Sequence, residues 1–119
     1  MISDFLEEII NGCDGLIRRI EFVSFDSVFV FISAMRKDNG EWVNIKFHLS
    51  GLKEFSVKQK LNYSNVVLSN GVFYMNINGI HYIDFSPYSD SMENESDFRM
   101  SDVYFASESI DYEVIPYSE

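Results

Sequence analysis

The chain has 119 residues, with 19 Asp and Glu against 9 Lys and Arg, for a formal net charge of −10. That length fits one domain over residues 1–119, and an apolar fraction of 46% with 16% aromatics excludes a disordered chain. The acidic balance argues against nucleic acid, whose phosphates need clustered Lys and Arg, and against an anionic membrane surface; a basic partner stays open.

Residues 2–11 carry Ile2, Phe5, Leu6, Ile9 and Ile10 at the three-and-four spacing of a one-faced helix. Ser3 or Asp4 can cap its first amides, and Asn11-Gly12 supplies a left-handed stop. Asp4, Glu7 and Glu8 are unlike the basic start of a secretory signal. Cys13 is the single cysteine, so no internal disulfide can form, and a reducing, cytoplasmic setting is expected. Because Cys13 follows the negative end of the helix dipole, a nucleophilic role is not expected.

From Leu16 onward the period changes to two. Strands are expected at 16–25, 28–36, 41–49, 53–59, 65–69, 72–77, 80–86, 98–106 and 110–115. The clearest is Trp42 to Leu49, where Val43, Ile45, Phe47 and Leu49 alternate with Trp42, Asn44, Lys46 and His48. Asn39-Gly40, Asn70-Gly71 and Asn78-Gly79 are hairpin-turn signals. Short turns force antiparallel neighbours, since a parallel return needs a long crossover. The expected fold class is α+β: one N-terminal helix on a twisted antiparallel sheet, a meander of roughly seven or eight strands able to curl into a half-barrel. Residues 86–97, rich in turn formers and acids, read as a flexible acidic loop.

The charge is uneven. Residues 1–60 hold nine acids and eight bases, residues 61–83 none of either, and residues 84–119 ten acids against Arg99 alone. Asp111 and Glu113 share one face of their strand, with Ile110, Tyr112 and Val114 on the other. Like charges so placed repel; they suit edge protection, or a surface that holds a basic protein.

Catalytic and metal signatures are scarce. His48 and His81 lie on separate strands without ligand spacing. An EF-hand over Asp90, Glu93, Glu95 and Asp97 fails because Glu95 occupies the position that needs Gly. Phosphate-loop and nucleophile-elbow motifs are missing. No catalytic residue, metal site or cofactor is expected. Phe22, Phe29, Phe31, Phe47, Phe55, Phe73 and Phe85 read as core, whereas Tyr82, Tyr88, Tyr104, Tyr112 and Tyr117 accompany the acids, as on surfaces that grip Arg and Lys. The candidate partner-binding residues are Tyr88, Asp90, Glu93, Glu95, Asp97, Asp102, Glu108, Asp111, Tyr112 and Glu113.

The layout from Trp42-Val-Asn-Ile-Lys-Phe-His-Leu49 through Val67-Leu-Ser-Asn-Gly-Val72 and Ile83-Asp-Phe-Ser-Pro87 to Ser109-Ile-Asp-Tyr-Glu-Val-Ile115 resembles the small acidic immunity proteins of bacterial toxin–immunity systems, including contact-dependent growth inhibition. The resemblance spans roughly residues 16–115 and carries no catalytic motif. It implies a cytoplasmic inhibitor that binds one cognate toxin, commonly a basic nuclease, and no residue role is carried over. Two other classes fit the composition: a ligand-binding half-barrel with a Phe-lined cavity, and an adaptor subunit that pairs through its sheet edge.

Overall fold

The apolar stripe at the N-terminus forms helix α1 (Ile2–Glu8), which buries Ile2, Phe5 and Leu6. A short 3-10 turn over Ile10–Gly12 ends it, with Asn11 and Gly12 both at positive φ (51° and 72°), the stop expected of Asn-Gly. The structure, a computed structural model, describes residues 2–58, 66–87 and 92–117. No helix among the described residues is long and apolar enough to cross a membrane.

Six strands follow: β1 (Leu16–Ser24), β2 (Ser27–Met35), β3 (Trp42–Val57), β4 (Phe73–Ile77), β5 (Ile80–Asp84) and β6 (Val103–Pro116), with a second helix α2 (Glu95–Arg99) between β5 and β6. They form one antiparallel sheet in the order β1-β2-β3-β6-β5-β4. The first three strands run as a meander. The chain then crosses to the far edge and returns, so that β6 inserts between β5 and β3. A simple meander is therefore corrected. The sheet also stays open, because β1 and β4 do not pair among the described residues.

The count is six rather than seven or eight because expected strands fuse. Residues 41–49 and 53–59 become the single strand β3, which turns at Gly51 without stopping. Gly51 holds φ at +67°, and a Cβ there would lie 2.8 Å from Glu108 Oε1 and 2.9 Å from Glu108 Cβ. Only glycine fits that place, just before the register shift between Leu52 and Glu54, and β3 pairs with β6 on both sides of it. Likewise β6 joins 110–115 to the end of the 98–106 run. Of the expected strand 65–69, the described part makes one bridge, Leu16 to Val67, and no hairpin with β4 across Asn70-Gly71. The other turn signals act as read: Asn39-Gly40 sits in the β2–β3 connection, and Asn78-Gly79 closes β4–β5 with both residues at positive φ.

Helix α2 replaces part of the expected acidic loop and the start of the expected strand 98–106. Asn94 is its N-cap: its Oδ1 accepts from the Asp97 amide at 3.2 Å, while Asp97 Oδ2 accepts from the Asn94 amide at 3.1 Å and the Glu93 amide at 2.7 Å. This reciprocal box satisfies donors that a short helix would otherwise leave orphaned. Asp97 and Glu95 also lie in the first turn, where negative charge is favourable.

The two helices cover opposite faces of the sheet. Under α1 lies the main core, with Val30, Ile32, Ile45, Phe47, Leu49, Ile83, Phe85 and Phe105 all essentially without exposure. Under α2 lies a smaller core of Tyr82, Met92, Phe98, Tyr104 and Ala106. The alternation of Tyr82 and Tyr104 with Ile83 and Phe105 along β5 and β6 separates the two. Tyr82 and Tyr104 are therefore buried core residues, not surface tyrosines, because α2 covers the face on which they stand.

Candidate protein-binding site

Strand β6 pairs with β3 along its whole length, from Val43–Pro116 to Val57–Val103. Its other side meets β5 only from Tyr104 to Ser107. From Ser109 onward no described strand lies beside it. The register with β3 is unbroken there, from Ser50–Ser109 to Val43–Pro116. The result is a regular, open strand edge.

Cross-strand pairing decides what that edge presents. On the α1 face, Tyr112 stands beside buried Phe47, and its ring stacks on Phe5 of α1 with centroids 4.0 Å apart. It remains 39% exposed, and Val114 36%, so the apolar face runs out to the edge. On the opposite face, Asp111 stands beside His48 and Glu113 beside Lys46. The repulsion expected between these acids is thus offset by basic neighbours across the ladder. Phe29, Lys46, His48, Asp111, Tyr112 and Glu113 line a shallow depression of about 330 Å³.

The two basic groups in this depression, Lys46 and His48, are held by rings rather than carboxylates, while Arg19 on the neighbouring strand meets both a ring and the Glu21 carboxylate, the latter at 3.3 Å. The Lys46 ammonium lies 4.1 Å from the Phe29 centroid, Arg19 lies 4.4 Å over Phe31, and the His48 ring packs 4.7 Å from Phe29. His48 Nε2 shares a hydrogen bond of 3.0 Å with the Ser27 hydroxyl. Phe29 and Phe31 are thus half-buried on this outer face and not core, covered by basic side chains instead of a helix. Asp111 and Glu113 make no ion pair among the described residues.

The other expected binding residues are scattered. Tyr88 and Asp90 lie outside the described residues. Asp97 is engaged in the α2 cap, and Glu93 and Glu95 sit beside it. Glu108 pairs with Lys53 at 3.4 Å. Asp102 lies in the turn before β6, where its carbonyl accepts from the Lys58 amide at 3.0 Å. Among the described residues of that set, two carboxylates and Tyr112 gather at the open β6 edge, while Glu93, Glu95 and Asp97 belong to α2 and its cap and Glu108 packs at Gly51. Glu54, outside that set, is also engaged, taking two hydrogen bonds from Arg99 at 2.9 and 3.2 Å and one from the Tyr104 hydroxyl at 3.2 Å. Burial, with the charge and hydrogen bond of Glu54 adding to it and Arg99 opposing, pushes the Tyr104 hydroxyl up to about 12.

Two features escaped sequence reasoning. The first is Asp84, fully buried at the end of β5. Burial drives its carboxyl from 3.8 up to about 6, with the Ser101 hydroxyl and the Ser86 amide pulling the other way and Asp102 adding to the rise. Asp84 Oδ1 accepts from the Ser86 amide at 2.8 Å; the Ser101 hydroxyl lies near enough to lower the carboxyl, but neither it nor Asp84 Oδ2 meets a described partner in hydrogen-bond geometry. The only signal was an acid inside the alternating run Tyr82-Ile-Asp-Phe85. The second is an open apolar cleft of about 460 Å³ lined by Phe22, Ser24, Phe25 and Phe55. Phe22 and Phe55 pack 4.8 Å apart but are both about half exposed, against their expected place in the core. They lie beyond the reach of α1, where no described element covers the sheet.

Cys13 is exposed, and His81 is hydrogen-bonded through Nδ1 to the Tyr74 hydroxyl at 2.6 Å. No group of three or more His, Cys, Asp or Glu able to hold a metal occurs among the described residues. Comparison with protein-family models, with curated proteins and with solved structures finds no match to this chain.

Proposed function

We propose that this chain is a protein-binding inhibitor that holds a basic partner through the acidic edge of β6, and that it acts as an immunity protein toward a cognate, nuclease-type toxin. The observation that carries the binding reading is the pair Asp111 and Glu113, which project from an open strand edge with no ion-pair partner among the described residues. Tyr112 between them adds exposed aromatic area at the same edge. A nuclease cleft is positive so as to meet phosphate, and an acidic edge competes for that field. The toxin class rests on the resemblance described above.

The test is capture from a lysate of the producing cell at low salt, followed by elution at high salt. Wild type is expected to retain a basic protein that salt releases. Asp111→Lys combined with Glu113→Lys should slow association with that protein by tenfold or more and flatten its salt dependence. Unchanged kinetics in the double variant would show that the β6 acids are not the contact. The Phe22–Phe55 cleft favours a second reading, a small apolar ligand site, since about 460 Å³ is within the range of ligand pockets. Displacement of a bound apolar fluorescent probe by Phe55→Lys would support it; failure of any such probe to bind would remove it.

A further inference from the structure

Sheet edges invite pairing, and proteins blunt them with bulges, charges, prolines or cover. Among the described residues the sheet has three open stretches, and they differ: the β4 edge is short, Phe73–Ile77, and carries no charge. The β1 edge is interrupted by register shifts between Ile17 and Arg19 and again between Phe22 and Ser24, and Val67 bridges its start at Leu16. The β6 edge has no bulge from Ser109 to Pro116. Its only guards among the described residues are Asp111, Glu113 and Pro116 at the strand's end.

Resting on the reading of β6 as the binding edge, we infer that the partner contributes an extended segment that pairs with Ser109–Ile115 as a seventh strand, with Lys or Arg at alternate positions and apolar residues between. The geometry dictates that pattern. Side chains of an added strand fall alternately on the two faces, opposite those of β6. On one face they meet Asp111 and Glu113, whose charge asks for a cation. On the other they meet Ile110, Tyr112 and Val114, which continue the core beneath α1, so an apolar side chain there extends the packing on the Phe5–Tyr112 stack. A second copy of this chain does not fit: two-fold pairing centred on Tyr112 sets Asp111 against Glu113 of the other copy twice, and like charges directly opposite are destabilising.

The probe is a synthetic peptide of about seven alternating Lys and Val residues, a typical strand length, together with two analogues N-methylated at alternate residues, one set in each phase. N-methylation leaves the charge but removes half the backbone donors. The parent should bind in a salt-dependent manner and slow amide hydrogen exchange across residues 109–115. One analogue should lose at least tenfold in affinity while the other keeps most of it. If both analogues bind as the parent does and still respond to salt, strand addition is wrong and the acidic-edge reading stands. If binding of the parent is unaffected by Asp111→Lys with Glu113→Lys, both fail. A doubling of mass for the unliganded chain, lost in that same double variant, would instead make the edge a self-pairing surface and overturn the inference.

Discussion

Replacing Asp84 by Asn should stabilise the protein at neutral pH, an unusual expectation for a fully buried polar residue. The folded carboxyl titrates at about 6 and its unperturbed value is 3.8. Between those values the folded chain holds a proton that the unfolded chain has released, so stability falls as pH rises through that window. At about 1.4 kcal/mol per unit, the ionised carboxylate costs about 3 kcal/mol above pH 6. Asn keeps the acceptor for the Ser86 amide and offers an N–H in place of the unpartnered Oδ2, near the equally unpartnered Ser101 hydroxyl. Reburying an amide takes back part of the gain, leaving about 1–2 kcal/mol. For a chain of this size that is a rise in Tm of roughly 4–8 °C. Thermal melts of both proteins from pH 4.5 to 8 supply the test, read as a difference so that the other carboxylates cancel. The variant's advantage should be largest at pH 7.5 and shrink by about 2 kcal/mol toward pH 4.5, as folded wild-type Asp84 takes up its proton. An Asp84→Asn protein that melts below wild type at every pH by a constant margin would refute the argument and show that the carboxylate is satisfied.

Two further outcomes follow from the local geometry. Asn94→Ala removes the side-chain half of the α2 cap and should cost about 1 kcal/mol, with amide exchange accelerated over 95–99 and unchanged in β2 and β3; uniform acceleration would mean that α2 does not open separately. Gly51→Ala must hold a left-handed φ, worth about 1–2 kcal/mol, and also displace Glu108, so chemical denaturation should show a loss of about 2 kcal/mol or more. A loss well below that would mean the β3–β6 pairing at Gly51 relaxes at little cost.

Much of the fold was legible where one physical signal dominated. The helix face of Ile2, Phe5 and Leu6, the alternation of Val43 to Leu49 and the Asn78-Gly79 turn all depend on neighbours within a few residues. The errors came where local and tertiary preferences compete. Gly51 looks like a break, yet its missing Cβ admits Glu108 and lets β3 run on. Residues 94–97 look like acidic loop and 98–99 like the start of a strand, because a capping box built on Asn94 and Asp97 is weak evidence until Phe98 joins Tyr82 and Tyr104 in a core. Strand order was not legible at all: the insertion of β6 between β3 and β5 depends on long-range pairings, those with β3 more than forty residues apart, and composition carries no trace of them.

The same long-range pairing explains why charge by segment does not show which acids are engaged by their own chain. A count along the chain assigns every acid after residue 84 to one surface. The fold divides them by what stands opposite: Lys53 for Glu108, backbone amides for Asp97, and for Asp111 and Glu113 only His48 and a Lys46 already seated on Phe29. An acid engaged by its own chain can add to a field but cannot make a new close contact without breaking an old one. Two carboxylates two residues apart on an unbulged edge can do so at no such cost, and they simultaneously oppose pairing with a second copy. On the proposed reading, edge protection and partner recognition, which look like rival explanations of the acidic strand, are one arrangement: the charge that repels an identical edge is the charge that would admit a basic one.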